Sequence, residues 1–184
     1  DVEILRKQHP DKEVEVWAED EGRMGLKPIT RRQWSPRGQR PIAVQQRGYQ
    51  WLHTYVFVQP RSGKSAFWLA SCVDIPTMQA VLETFVATVN PDNTKRIVLL
   101  LDNAGWHVSK HLQVPPSLIL YPVPAYSPEL SPAEPMMPLL HESLANKTLT
   151  KLQQVEANLE HRCQFLHNRP DIVKGACGFA WASL

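Results

Sequence analysis

The chain has 184 residues, 43% of them hydrophobic, which is enough for one substantial core and too few for two comfortable domains. No run of 18 apolar residues occurs, and the first 21 residues are acid-rich where a leader would be basic and then apolar, so neither a membrane span nor a targeting segment is expected. The three cysteines, at 72, 163 and 177, are odd in number and lack the close pairing of a zinc ribbon or a disulfide framework, which fits a reducing cytosol.

The formal charge of +2 hides an uneven distribution. Residues 1–21 hold eight acids and three bases, whereas residues 22–73 hold nine bases (Arg23, Lys27, Arg31, Arg32, Arg37, Arg40, Arg47, Arg61 and Lys64) and no acid. Such a segment suits a polyanion, nucleic acid above all. A solvated basic face balanced by acids from elsewhere is the other reading.

In chain order, Val14 to Ala18 alternates apolar and polar residues as a half-buried strand does, and runs into Glu19-Asp20-Glu21. If the strand continues, Glu21 faces away from Asp20. Residues 22–41 read as a loop with Pro28, Pro36, Gly38 and Pro41. β-rich runs follow at Ile42 to Gln46, Trp51 to Gln59 and, after the turn signal Pro60-Arg61-Ser62-Gly63, Ser65 to Val73. Pro76 opens a helix whose apolar residues Met78, Val81, Leu82, Phe85, Val86 and Val89 recur at helical spacing. Ile97 to Leu101 is an uninterrupted apolar run that stops at Asp102, as a buried central strand would. Ser117 to Tyr121 reads as another short strand, and Pro122, Pro124, Pro128 and Pro132 then impose an extended path before a helix over Ala133 to Asn146. Lys151 to Asn168 is a polar helix with Leu152, Val155, Leu159, Cys163 and Leu166 on one stripe; residues past Arg169 give no clear signal. Tryptophans at 17, 34, 51 and 68 are evenly spaced, but the intervening residues share no similarity and no repeat is inferred.

This order of strands and helices is mixed α/β and can bring separated carboxylates to neighbouring strand ends. Hard divalent cations take oxygen ligands, and two of them about 3.5 to 4 Å apart can serve both the attacking and the leaving oxygen of a phosphoryl transfer. Other motifs carry less. Gly63-Lys64-Ser65 mimics a phosphate-binding loop but has Val58 where the first glycine belongs, and His107 and His111 have zinc spacing without the intervening glutamate of a metalloprotease.

Two stretches carry a specific likeness: Leu99-Leu100-Leu101-Asp102-Asn103-Ala104-Gly105-Trp106-His107, and Pro124-Ala125-Tyr126-Ser127-Pro128-Glu129-Leu130-Ser131-Pro132-Ala133-Glu134. They resemble the paired signatures of bacterial insertion-sequence transposases of the mariner-like superfamily, with 31 residues between Asp102 and Glu134. Trp17-Ala18-Glu19-Asp20-Glu21 matches the upstream aspartate, and Gln33 to Gly38 resembles a tryptophan-proline-glycine element of that family, so the likeness spans roughly residues 14–145.

The resemblance implies a ribonuclease-H-like fold, a mixed sheet of about five strands flanked by helices. It implies one DDE endonuclease domain over 1–184, with a core at roughly 14–146 and a C-terminal helix at 148–168; full-length relatives also carry an N-terminal helix-turn-helix module, which the residues before Val14 are too few to supply, so none is expected here. Asp20, Asp102 and Glu134 would be the catalytic metal ligands for two Mg²⁺ or Mn²⁺ ions, with Asn103 and His107 supporting them from behind. Arg31, Arg32, Trp34, Arg37 and Arg40 would contact DNA. Transposon ends and target DNA would be the partners, in a homodimer that inserts at TA, in the bacterial cytoplasm and associated with the nucleoid. Glu129 competes with Glu134 for the last ligand, but its proline-rich surroundings place it outward. The sequence departs from the family after Glu134, where Pro135, Met136, Met137 and Pro138 replace the usual arginine and tryptophan, and Ser131 replaces an asparagine. An inactive DNA-binding remnant and a plain metal-dependent nuclease of the same fold are therefore the alternatives.

Overall fold

The computed structural model describes residues 2–42, 44, 48–107, 109–124 and 127–182. Five strands, β1 (Glu13–Gly25), β2 (Trp51–Gln59), β3 (Lys64–Ala70), β4 (Lys95–Leu101) and β5 (Leu118–Pro122), form one sheet in the order β3-β2-β1-β4-β5. β1, β2 and β3 form an antiparallel meander, while β4 and β5 run parallel to β1. The change of direction puts the C-terminal end of β4 beside Ala18, partway along β1, in the middle of the sheet.

Alternation along the strands divides the core in two. On one face Trp17, Tyr55, Phe57, Ile97, Leu99 and Leu101 pack under helix α2 (Ile75–Val89). Phe85 of α2 stacks on Phe57 at 4.3 Å and meets Trp17 edge-on at 5.2 Å, which accounts for the dense aromatic contact beneath this helix. On the other face Val14, Val16, Ala18, Val56, Val58, Val98 and Leu100 meet α3 (Met136–His141), α4 (Leu152–His167) and α5 (Pro170–Cys177).

Helix α2 begins where the Asp74 side chain accepts the Thr77 amide at 2.8 Å, with proline tolerated in the first turn. Beyond its end, Asn90 bonds both the N–H and the C=O of Lys95 (2.9 and 3.1 Å), so the chain turns directly into β4.

Several boundaries differ from the expectation. β1 runs on to Gly25 instead of stopping at Glu21, because β2 pairs with it as far as Trp51. The helix expected over residues 133–146 contracts to α3. Prolines 135 and 138 are confined to its start, and Asn146, at φ +55°, turns away to bond Ile29 and Arg31. α1 (Val2–Gln8) and α5 carried no readable signal; both are short, and α1 buries no residue fully. The run expected at Ile42 to Gln46 lies largely outside the described residues.

Candidate metal centre at the strand ends

Ala18 pairs with Leu100 across the parallel β1–β4 ladder. Asp20 and Asp102 each follow two residues later, Asp20 within β1 and Asp102 just past the end of β4, so both side chains leave the same face of the sheet. Glu134 reaches them from the turn before α3. A Cβ built on Gly22 would crowd the Met137 sulfur, so the bare backbone here lets Met137 seat directly on β1 without a shift. That contact holds the chain carrying Glu134 against the strand carrying Asp20. Asp20, Asp102 and Glu134 line one cleft of about 410 Å³, with Glu19, Asn103, Ser127 and Ser131 among its walls and no lysine, arginine or histidine among its described residues.

The cleft is electrostatically incomplete as protein alone. Burial, then the hydrogen bond and charge of Glu134, push the Asp20 carboxyl up to about 8, although the Glu21 amide donates to its Oδ1 at 2.9 Å and pulls the other way. Two carboxyls this close share a proton unless a cation replaces it. Asp102, its side chain 63% exposed, uses only Oδ1 within the protein, accepting from the Ala104 amide and facing His107 Nδ1, both at 2.8 Å. A set of carboxylate oxygens with no competing base fits a hard divalent cation.

Behind this cleft, on the opposite face of β1, lies a second group. Glu21 Oε1 accepts from Trp106 Nε1 at 2.9 Å and lies 2.9 Å from His107 Nε2; Glu19 Oε2 is 3.5 Å from the same nitrogen. Ligand atoms of Glu19, Glu21 and His107 all lie within 4.8 Å of one another. Burial and the neighbouring charges of Glu21, Asp20 and Asp102 raise Glu19 well above the usual carboxylate range, and neither of its oxygens has a hydrogen-bond partner. Burial by itself would depress His107, but its bonds to Glu21 and Asp102 outweigh this and the net shift is upward. The sequence suggested that Glu21 turns away from Asp20 and that His107 supports the ligands. It did not suggest that Glu19 is fully buried, although the alternation of β1 puts Glu19 and Glu21 on one face.

The remaining predicted residues are dispersed. Asn103 Nδ2 donates to the Val123 carbonyl at 2.8 Å, tying the end of β4 to the segment after β5. Glu129 is exposed in the turn Pro128–Leu130 and His111 is exposed, away from His107. Arg31 is engaged, its Nε 2.9 Å from Glu142 Oε1. Arg32, Trp34, Arg37 and Arg40 are exposed on the long β1–β2 connection, Trp34 completely so. A groove of about 710 Å³, not anticipated from the sequence, lies at the far end of the β1–β2 pair. Arg23, Lys27, Tyr49 and Trp51 line it, with the Arg23 guanidinium 4.8 Å above the Trp51 ring.

A mixed five-stranded sheet with helices on both faces, and carboxylates on the two central parallel strands where their pairing ends, defines a ribonuclease-H-like domain of the DDE type. The chain belongs to the DDE superfamily endonuclease family, which matches residues 15–156. It is 34% identical over 101 residues to "Uncharacterized protein y4pE/y4sA" of Sinorhizobium fredii, an alignment covering 55% of this chain and 73% of that protein. The fold is that of the mariner Mos1 transposase. The Mos1 paired end complex with Mn aligns at a TM-score of 0.62 and 17% identity, covering 100% of this chain, and the Mos1 Strand Transfer Complex at 0.55 and 15%, covering 97%. The chain spans 60% of the length of these Mos1 chains. A simian T-cell lymphotropic virus intasome chain shares the fold more distantly, at a TM-score of 0.51 and 12% identity over 81% of this chain and 48% of its own length. The family and fold expected from the sequence both hold. Among the described residues no helix is long and apolar enough to cross a membrane.

Proposed function

We propose that this chain is the catalytic domain of a DNA transposase that hydrolyses a phosphodiester at a transposon end and joins the freed 3′ end to target DNA, using two Mg²⁺ or Mn²⁺ ions held by Asp20, Asp102 and Glu134. The observation that carries this reading is the convergence of those three carboxylates, 82 and 32 residues apart in sequence, on one cleft with no base among its described residues. When bound there, divalent cations would supply charge neutralisation at the attacking and leaving oxygens of the phosphodiester.

The protein's own groups account for the rest. Asp20 is held in the β1–β2 ladder and Asp102 follows directly on β4, each with Oδ1 held by a backbone amide, so their remaining oxygens have little freedom to lose on binding. Glu134 closes the third side from a separate segment. Arg32, Trp34, Arg37 and Arg40 on the exposed connection, and the Arg23–Trp51 groove, offer cations and aromatic faces for the DNA backbone and for unstacked bases. Support for DNA as substrate comes from Mos1, whose structures are of paired-end and strand-transfer complexes. A second copy of the chain would bring the two ends together.

Incubating the chain with supercoiled plasmid, and with an end-labelled duplex carrying a free 3′-hydroxyl, in Mg²⁺ or Mn²⁺ tests this. Nicking and joining that both disappear in Asp102→Ala support the proposal. Nicking without joining would point to a plain nuclease, and neither activity together with no metal binding would point to an inactive remnant.

A further inference from the structure

We propose that His107 is a positioning residue whose ring braces the two aspartates of the cleft against each other from the opposite face of the sheet. This rests on the reading of Asp20 and Asp102 as metal ligands.

The connections run without a break. His107 Nδ1 lies 2.8 Å from Asp102 Oδ1, and Nε2 lies 2.9 Å from Glu21 Oε1, which also accepts from Trp106 Nε1. The backbone N–H of the same Glu21 donates to Asp20 Oδ1 at 2.9 Å. One imidazole, 4% exposed, therefore ties the Oδ1 of Asp102 to the residue that holds the Oδ1 of Asp20. Both anchored oxygens are withdrawn from the cleft, leaving one oxygen of each aspartate to a cation. Asp102 needs this more than Asp20 does, because it lies just past the end of β4, outside the hydrogen-bonded ladder. Hydrogen-bonded groups that orient ligating carboxylates change metal affinity by about 10–100-fold when lost.

The ring's two nitrogens can be separated by substitution. The amide nitrogen of asparagine occupies the place of Nδ1 and retains a donor for Asp102; that of glutamine occupies the place of Nε2 and retains a donor only for Glu21. Mn²⁺ dissociation constants by calorimetry, and melting temperatures in EDTA, are measured on the full chain and on His107→Asn, His107→Gln and Asp102→Ala. The expected order is about 10–100-fold weaker binding for both H107N and H107Q, since each keeps only one of the ring's two bonds, and none for D102A. The two histidine variants should melt within a few degrees of each other without metal, which separates bracing from mere packing. Parent-like Mn²⁺ affinity in H107N or in H107Q overturns the brace while leaving the ligand set intact. Unchanged binding in D102A overturns the ligand assignment itself and the brace with it.

Discussion

Ala18 faces Leu100 across the parallel pair of central strands, and Asp20 and Asp102 each lie two residues beyond that pairing. The separation of the two aspartates is therefore set by the ladder and the sheet twist, and Glu134 is the one member of the triad whose position depends on a loop. Conservative loss of either aspartate should leave the fold intact and remove the cation. Asp20→Asn in particular should raise the metal-free melting temperature, because it removes a buried carboxyl crowded by Glu134 and Glu21. The same variant should show no Mn²⁺-induced thermal shift.

Glu134 and Glu129 are separable in the same assay. Glu134 borders the cleft with Asp20, whereas Glu129 is exposed in the turn before it. Glu134→Gln should lower plasmid nicking by about 10³-fold, equivalent to several kcal/mol of lost metal-borne stabilisation, and Glu129→Gln should nick like the parent. The reverse result would move the third ligand to Glu129.

Stability without metal should fall as pH rises, and metal should offset the fall. Without cation the Asp20 carboxyl keeps its proton in the folded chain up to about pH 8, while an unfolded aspartate loses it near 3.8. A raised folded value stabilises fully below the unfolded one and is lost as pH rises through the folded one. Glu19 and His107 are raised as well and act in the same sense. Melting temperatures in EDTA should thus fall between about pH 5 and pH 8, and saturating Mg²⁺ should flatten the decline. A metal-free melting temperature that rises over this range would contradict the charge balance described for the cleft.

The three cysteines should separate by accessibility. Burial pushes the thiols of Cys163 and Cys177 up to about 12, whereas Cys72 is exposed. A thiol-reactive dye should label one cysteine in the folded chain and three in denaturant; rapid labelling of more than one would show that the α4–α5 packing is looser than described.

Much of this was legible in the sequence because the informative residues sit on regular elements. The apolar run Ile97 to Leu101 announces a buried strand, and Asp102 marks its end; the spacing of Met78, Val81, Leu82 and Phe85 announces α2 and the face it buries. The helical spacing likewise identified Phe85 as a core residue, and its replacement by alanine should cost about 3–5 kcal/mol, measurable by urea denaturation. What was not legible depends on tertiary pairing. The length of β1 is set by β2, 26 residues beyond it in sequence, and the pairing of Arg31 with Glu142 joins segments 111 residues apart. The burial of Glu19 and its neighbour Glu21 could be suspected from strand alternation, but their partner His107 comes from the loop after β4 folding back over the sheet.

The most direct test of the account is a calorimetric Mn²⁺ titration of the chain and of Asp102→Ala, followed by nicking of supercoiled plasmid under the same conditions. The account predicts saturable Mn²⁺ binding and nicking in the parent and neither in the variant. Binding and nicking that survive in Asp102→Ala, or a parent chain that binds no divalent cation, would contradict it.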